Sequence, residues 1–386
     1  MSNKYISRIA NGIKPSGIRK FFDIVASTKD AISLGVGEPD FITPHNIRRA
    51  AINSLNKGFT QYTSNAGLPQ LRELISKYLK QRFSLNYSGS DEVIVTVGAS
   101  EALDITLRTL CNPGDEVLIP EPTYVAYAPL VILAGGTPVI VPCSEAEEFK
   151  LNPVSLESCI TPKSKALLLA YPNNPTGAVM EKERLKPIAD LSKKHDLIVI
   201  SDEIYAELSY GAPHTSIAAL PDMRKRTILI SGFSKAFAMT GWRVGYVACP
   251  KEFMGAILKI HQYSIMCSPT MGQYAAVEAL RQGLEDGFED VCMMRGEYDK
   301  RRKFVISRLN GMGLKCFEPM GAFYAFPNVG GSGEDFANKL LGKEMVAVVP
   351  GSAFGDACRN NVRISYAYSM ERLTLALDRI ERFLKG

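Results

Sequence analysis

Seven short apolar runs, many of their residues β-branched, punctuate the middle of the chain, over 93–97, 116–119, 138–141, 166–169, 197–200, 227–230 and 244–248. In several of them apolar positions follow one another without a polar alternate. A strand with one wet face alternates, whereas a strand covered on both faces reads as continuously apolar. Stretches with helical spacing fill most of the gaps. One runs to about Cys111 and has Ser100 placed to cap it, and another spans 181–195. Strand and helix in alternation predict an α/β fold built on a mainly parallel, seven-stranded sheet.

After about residue 285 the pattern changes. A charged helical stretch over 295–309 leads into Gly321-Ala322-Phe323-Tyr324-Ala325-Phe326, which reads as a strand, and a last helix is predicted over 370–384. This predicts a smaller α+β domain. The expected division is 1–43 as an N-terminal arm and part of the small domain, 44–285 as the large domain, and 286–386 as the small C-terminal domain. The segment before Pro44 has no partner of its own and is expected to pack on the small domain.

A chain of 386 residues is too long for one small core, which fits the two-part reading. Its net charge of +5, from 45 basic and 40 acidic residues, is mild and spread out, so no nucleic-acid face is expected. The eight cysteines form no CxxC pair, which argues against a zinc knuckle or a thioredoxin-like site. Scattered cysteines suggest reduced thiols and a cytoplasmic protein. The polar stretch from Met1 to Gly12 lacks the apolar run of a signal peptide, and no apolar stretch is long enough to span a membrane.

In an open parallel sheet, ligands bind beyond the carboxyl ends of the strands. After the first run come Gly98-Ala99-Ser100-Glu101, which open a helix; this is a plain helix cap or a phosphate cradle. After the fourth come Tyr171-Pro172-Asn173-Asn174-Pro175-Thr176-Gly177, a turn that leaves Asn174 to present an amide. Asp202, with Tyr205 three residues on, follows the fifth run, and it either caps a helix or pairs with a protonated ring nitrogen. Lys235 follows the sixth, in an apolar Ser234-Lys235-Ala236-Phe237 setting. Most lysines are solvated, but burial would make this one a good amine nucleophile. Phosphate cradle, amide, carboxylate with phenol, and amine together are what pyridoxal phosphate requires.

The segments over 171–177 and 231–245 resemble the hallmark segments of class I/II, fold type I pyridoxal-phosphate aminotransferases. The resemblance extends from Ser33-Leu34-Gly35-Val36-Gly37-Glu38-Pro39-Asp40 to Val362-Arg363-Ile364-Ser365-Tyr366, and is nearest the branch of aspartate, aromatic and N-acetyl-diaminopimelate aminotransferases. It implies that Lys235 holds the cofactor as a Schiff base and shuttles the substrate proton. It implies further that Asp202 pairs with the ring nitrogen, that Asn174 and Tyr205 hydrogen-bond the ring hydroxyl, and that Tyr124 stacks on the ring. Gly98, Ala99, Ser100, Glu101 and Arg243 match the phosphate site. Arg363 matches the clamp on the substrate α-carboxylate, with Gly37 beside it. Tyr62 matches a tyrosine that reaches the partner subunit's phosphate, which implies a homodimer with shared sites.

One position departs from the pattern. Many relatives carry Ser three residues before the lysine, where this chain has Gly232; Ser231 or Ser234 is left to contact the phosphate. A nicotinamide dehydrogenase is disfavoured because Gly35-Val36-Gly37 lacks a third glycine. A DNA-binding regulator of the same body is disfavoured because no room for an added module precedes Ser33. A β-lyase or decarboxylase is less well excluded. The expected reaction takes an amino group from aspartate or an aromatic amino acid to 2-oxoglutarate by ping-pong chemistry, with N-acetyl-diaminopimelate as the alternative donor. The segment over 13–22 is the candidate lid, with residues 15–18 closing over substrate; its Ile18, Phe21 and Phe22 equally suit an ordinary core, with Arg19 a solvated neighbour.

Overall fold

The computed structural model describes residues 4–15 and 31–386. Residues 16–18 of the candidate lid, together with Arg19, Phe21 and Phe22, lie outside the described residues. In chain order the strands are β1 (Ile32–Ser33), β2 (Val93–Thr96), β3 (Glu116–Glu121), β4 (Thr137–Pro142), β5 (Ser164–Ala170), β6 (Ile198–Asp202), β7 (Thr227–Gly232), β8 (Gly245–Ala248), β9 (Tyr324–Ala325), β10 (Val346–Ala347), β11 (Val349–Pro350) and β12 (Val362–Ser365). The helices are α1 (Arg8–Gly12), α2 (His45–Asn56), α3 (Pro69–Phe83), α4 (Gly98–Leu110), α5 (Tyr127–Leu133), α6 (Pro153–Cys159), α7 (Lys182–Lys194), α8 (Lys251–Ser264), α9 (Thr270–Asp286), α10 (Glu289–Gly311), α11 (Gly333–Glu344) and α12 (Met370–Lys385).

All seven apolar runs are strands of one sheet, in the order β2-β8-β7-β6-β5-β3-β4. Both neighbours of β8 are antiparallel to it, and every other pair is parallel. Successive side chains of a strand point to opposite faces, and here both faces are covered except at the edge strand β4, where Ile140 is 40% exposed. Val93 and Val95 of β2 join Leu71 and Ile75 of α3 and Leu280 of α9, whereas Ile94 between them joins Leu103 and Leu107 of α4. That double burial is why the runs lack polar alternates. The 2-stranded sheet pairs β1 with β10, and a 3-stranded antiparallel sheet has the order β11-β12-β9. Ile32 and Leu34 share a core with Tyr298 and Leu309 of α10 and Leu377 of α12.

Two local expectations are corrected. Ser100 is not the cap of α4, because the helix already begins at Gly98. The charged helix α10 begins at Glu289, six residues before the expected Arg295. Asp286 Oδ1 accepts the Phe288 and Glu289 N–H groups at 2.9 and 3.2 Å, so the capping carboxylate sits in the preceding helix, where apolar spacing gives no sign of it.

Candidate active site

Loops after β2, β3, β5, β6 and β7 converge on one edge of the sheet. Because β8 runs antiparallel, its beginning lies at that edge too and brings Arg243 with it. Val36 to Glu38, Tyr324 of β9 and Arg363 of β12 complete a cavity of about 640 Å³. Ala99, Ser100, Tyr124, Asn174, Asp202, Tyr205, Ser234, Lys235, Arg243, Gly37 and Arg363 all line it.

The half-buried Lys235 donates from Nζ to the Gly37 carbonyl at 2.6 Å, and its Nζ lies 5.7 Å from the Tyr205 ring centre. Loss of hydration is the main cause that lowers its ammonium to about 8; Glu38 and Asp202 oppose the shift, while Arg363 and Arg243 reinforce it. This is not a solvated lysine. Asp202 ends β6 and is 5% exposed. Its Oδ2 accepts from Tyr127 Oη at 2.8 Å and its Oδ1 from the Ile204 N–H at 3.1 Å. Burial pushes its carboxyl up to about 6, against the pull of those two hydrogen bonds. Turns rather than a helix follow Asp202, so the helix-cap reading falls.

Arg363 is 2% exposed and lies between aromatic faces, 4.6 Å from the Tyr324 ring centre and 4.9 Å from that of Phe354. Its Nη1 donates to Asn174 Oδ1 at 2.8 Å and its Nη2 to the Gly35 carbonyl at 2.5 Å. Asn173 is the residue that holds the turn: its Oδ1 accepts from the Thr176 backbone N–H and hydroxyl, which leaves the next amide, Asn174, free to face the cavity. Arg243 donates to the Thr240 carbonyl at 2.9 Å. Its guanidinium lies where a side chain on Gly98 would stand, and Gly98 has φ +74°, so any other residue there would be strained and would push the guanidinium aside.

Not every expected residue faces this cavity. Gly98 and Glu101 are outside its lining; the Glu101 carboxylate accepts from the Val97 N–H and pairs with His261 behind the helix. Ser231 turns its hydroxyl to the Glu203 carbonyl at 3.2 Å, so Ser234 is the serine that lines the cavity. Tyr62 lies away from the cavity of its own chain and is 79% exposed. Two cavity tyrosines were not singled out as site residues from the sequence. Tyr127 holds Asp202, and Tyr324 hydrogen-bonds Tyr205, hydroxyl to hydroxyl, at 2.8 Å. Their sequence signals, an aromatic one helical turn past Tyr124 and an aromatic in a strand pattern, are those of ordinary core residues.

Residues 29–380 match the family model described as aminotransferase class I and II. A putative aminotransferase of Bacillus subtilis (strain 168) is 56% identical over 383 residues, covering 98% of each chain. An aspartate aminotransferase of Pyrococcus abyssi (strain GE5 / Orsay) is 49% identical over 377 residues, covering 97% of this chain and 96% of that protein. The crystal structure of an aromatic aminotransferase from Pyrococcus horikoshii OT3 superposes with a TM-score of 0.90 at 48% identity, over 95% of this chain and 98% of that one. With its α/β architecture of fold type I, the chain belongs to the class I and II aminotransferases, enzymes that transfer amino groups between amino acids and 2-oxo acids.

Proposed function

We propose that the cavity binds pyridoxal phosphate and moves an amino group from aspartate or an aromatic L-amino acid to a 2-oxo acid, 2-oxoglutarate being the expected acceptor, in two half-reactions through one site. The observation that carries this reading is a desolvated amine, Lys235, sharing a cavity with a buried carboxylate, Asp202. The donor set fits the cofactor. The first turn of α4 has N–H groups with no carbonyl one turn back, and Ser100, Ser234 and Arg243 stand with it to hold a phosphate. The titration of Asp202 near 6 marks a carboxylate that a cationic ring N–H would hold ionised.

Bound there, pyridoxal phosphate supplies an aldehyde for the amine and a protonated ring that draws electrons from the substrate Cα. The protein residues do the rest. Asp202 would hold the ring nitrogen protonated, Asn174 and Tyr205 would donate to the ring hydroxyl, and Tyr124 would lie against the ring. Arg363 grips the substrate α-carboxylate in the paired fashion that a guanidinium allows, beside the Gly37 backbone. Lys235 Nζ, its ammonium already lowered to about 8, would be the group that takes and returns the proton at the substrate Cα. The aspartate and aromatic donors rest on likeness to an aspartate and an aromatic aminotransferase.

The same reading takes the working unit to be a cytoplasmic homodimer in which Tyr62 serves the neighbouring site. It keeps the division into 1–43, 44–285 and 286–386, because the seven-stranded sheet falls within 93–248 and the three-stranded sheet within 324–365. Lys235→Ala is the decisive variant. It should retain pyridoxal phosphate weakly, without the Schiff-base absorbance, and lose transamination by several orders of magnitude. Near-normal turnover would end the assignment. A donor panel with 2-oxoglutarate then separates the substrate readings: rapid reaction of an acylated diaminopimelate alone replaces the aspartate or aromatic donor, and release of ammonia and pyruvate from a β-substituted amino acid replaces transfer by a lyase reaction.

A further inference from the structure

Glu101 sits in the first turn of α4, directly after the two residues that line the cavity, yet its carboxylate points behind the helix. There Oε2 accepts the Val97 backbone N–H at 2.5 Å and Oε1 meets His261 Nδ1 at 2.6 Å. His261 belongs to the last turn of α8 and is 0% exposed. Its buried Nε2 has no hydrogen-bond partner among the described residues. A proton on Nε2 would be a buried donor without an acceptor, so the ring proton sits on Nδ1 and is given to Glu101.

The N-cap of α4 makes no side-chain capping bond: Val97 has no side chain that can accept, and Gly98 has none at all. The end of β2 and the start of α4 are instead tied together by one carboxylate reaching back a turn, and that carboxylate is fixed by a histidine from another helix. In front of it Ala99 and Ser100 border the cavity, and the Arg243 guanidinium packs flush against Gly98. We propose that Glu101 and His261 are a positioning pair, which holds the first turn of α4 from behind in the place where Ala99 and Ser100 meet a phosphate. This rests on reading the cavity as a phosphate-bearing cofactor site.

The sign of the effect makes the idea testable. A buried carboxylate one turn from an anion site repels the anion. If the charge of Glu101 were its whole contribution, removing it would tighten phosphate binding. If its position matters, removing it loosens the turn and weakens binding. The probe is inorganic phosphate, titrated by calorimetry into the full chain without pyridoxal phosphate and paired with a thermal unfolding scan of each variant. Glu101→Ala and His261→Leu should each bind phosphate about tenfold more weakly, the loss expected when a helix-start anchor is removed. His261→Asn keeps a donor near the place of Nδ1 and should stay within about twofold of wild type; Glu101→Gln keeps a carbonyl for the Val97 N–H but sets its amide N–H against the Nδ1 donor, so it should fall between wild type and Glu101→Ala. If Glu101→Ala does not fold, His261→Leu makes the same comparison with the Val97 contact retained. Equal or tighter phosphate binding by the Ala and Leu variants would overturn the proposal. So would a lowered unfolding temperature with an unchanged phosphate affinity, which would mean a purely structural pair. No phosphate binding by the wild-type chain would overturn the cofactor reading and this inference together, an outcome distinct from the other two.

Discussion

Buried at the end of β6, the Asp202 carboxylate keeps hydrogen bonds from Tyr127 and Ile204 and still titrates near 6, against an ordinary 3.8. The folded chain therefore holds this proton more tightly than the unfolded chain does. The stability it contributes is fully present below the ordinary value and is lost as pH rises through 6, by about 3 kcal/mol in all. In protein freed of cofactor, urea unfolding between pH 4 and 6 should show this slope, and Asp202→Asn should remove that part of it. An unchanged slope in the variant would place the titration elsewhere. Ser100, Asn174, Asp202 and Lys235 were legible in the sequence as candidates because each follows an apolar run, and strand ends are where an open sheet exposes side chains; Arg243 and Arg363 were read only from the family resemblance. What could not be read was direction. Glu101 is adjacent to Ser100 in sequence but turns to the other side of the helix, and Tyr324 reaches Tyr205 from a strand 119 residues away.

Strands β7 and β8 show why one element departs from the family pattern. Gly232 pairs with Gly245 across the two strands. A Cβ on Gly232 would stand 2.9 Å from the Gly245 Cα and 2.9 Å from the Val244 carbonyl, both of them backbone, so neither can swing aside. A Cβ on Gly245 would in turn press on the Gly98 and Ala99 backbone, where α4 begins. These glycines let β7, β8 and the start of α4 pack backbone against backbone. Restoring the serine that many relatives carry, as Gly232→Ser, should therefore destabilise the chain by about 1–3 kcal/mol, measured by denaturant unfolding. It should also not tighten cofactor binding, because Ser234 already lines the cavity. A variant as stable as wild type with tighter binding would show that the strands can part at no cost. The strands themselves were legible as elements because burial on both faces removes the polar alternates. Helix starts were less so: α4 and α10 are fixed by Glu101 and Asp286, carboxylates whose partners apolar spacing does not reveal.

At the scale of the molecule, Tyr62 has its backbone surroundings fixed and its ring free. Thr270 Oγ1 donates to the Gln61 carbonyl at 2.9 Å, Gln273 Nε2 to Thr63 Oγ1 at 3.1 Å, and Asn65 Nδ2 to the Met266 carbonyl at 2.9 Å. The ring between these ties is 79% exposed, and nearby Tyr263 and Met266 are 87% and 43% exposed. A loop held this firmly and presenting an aromatic outward suits contact with another chain, which agrees with the dimer reading that the family resemblance implies for Tyr62. Mixed dimers test the assignment directly. A Tyr62→Phe chain paired with a Lys235→Ala chain has, if the sites are shared, one site with both defects and one with neither. Such a hybrid should run at roughly half the wild-type rate per dimer and keep wild-type cofactor affinity at its working site. If Tyr62 serves its own chain, the only site with a lysine lacks the tyrosine hydroxyl, and the hybrid shows the weaker cofactor affinity of the Tyr62→Phe homodimer. An active monomer by light scattering under assay conditions would remove the shared site altogether.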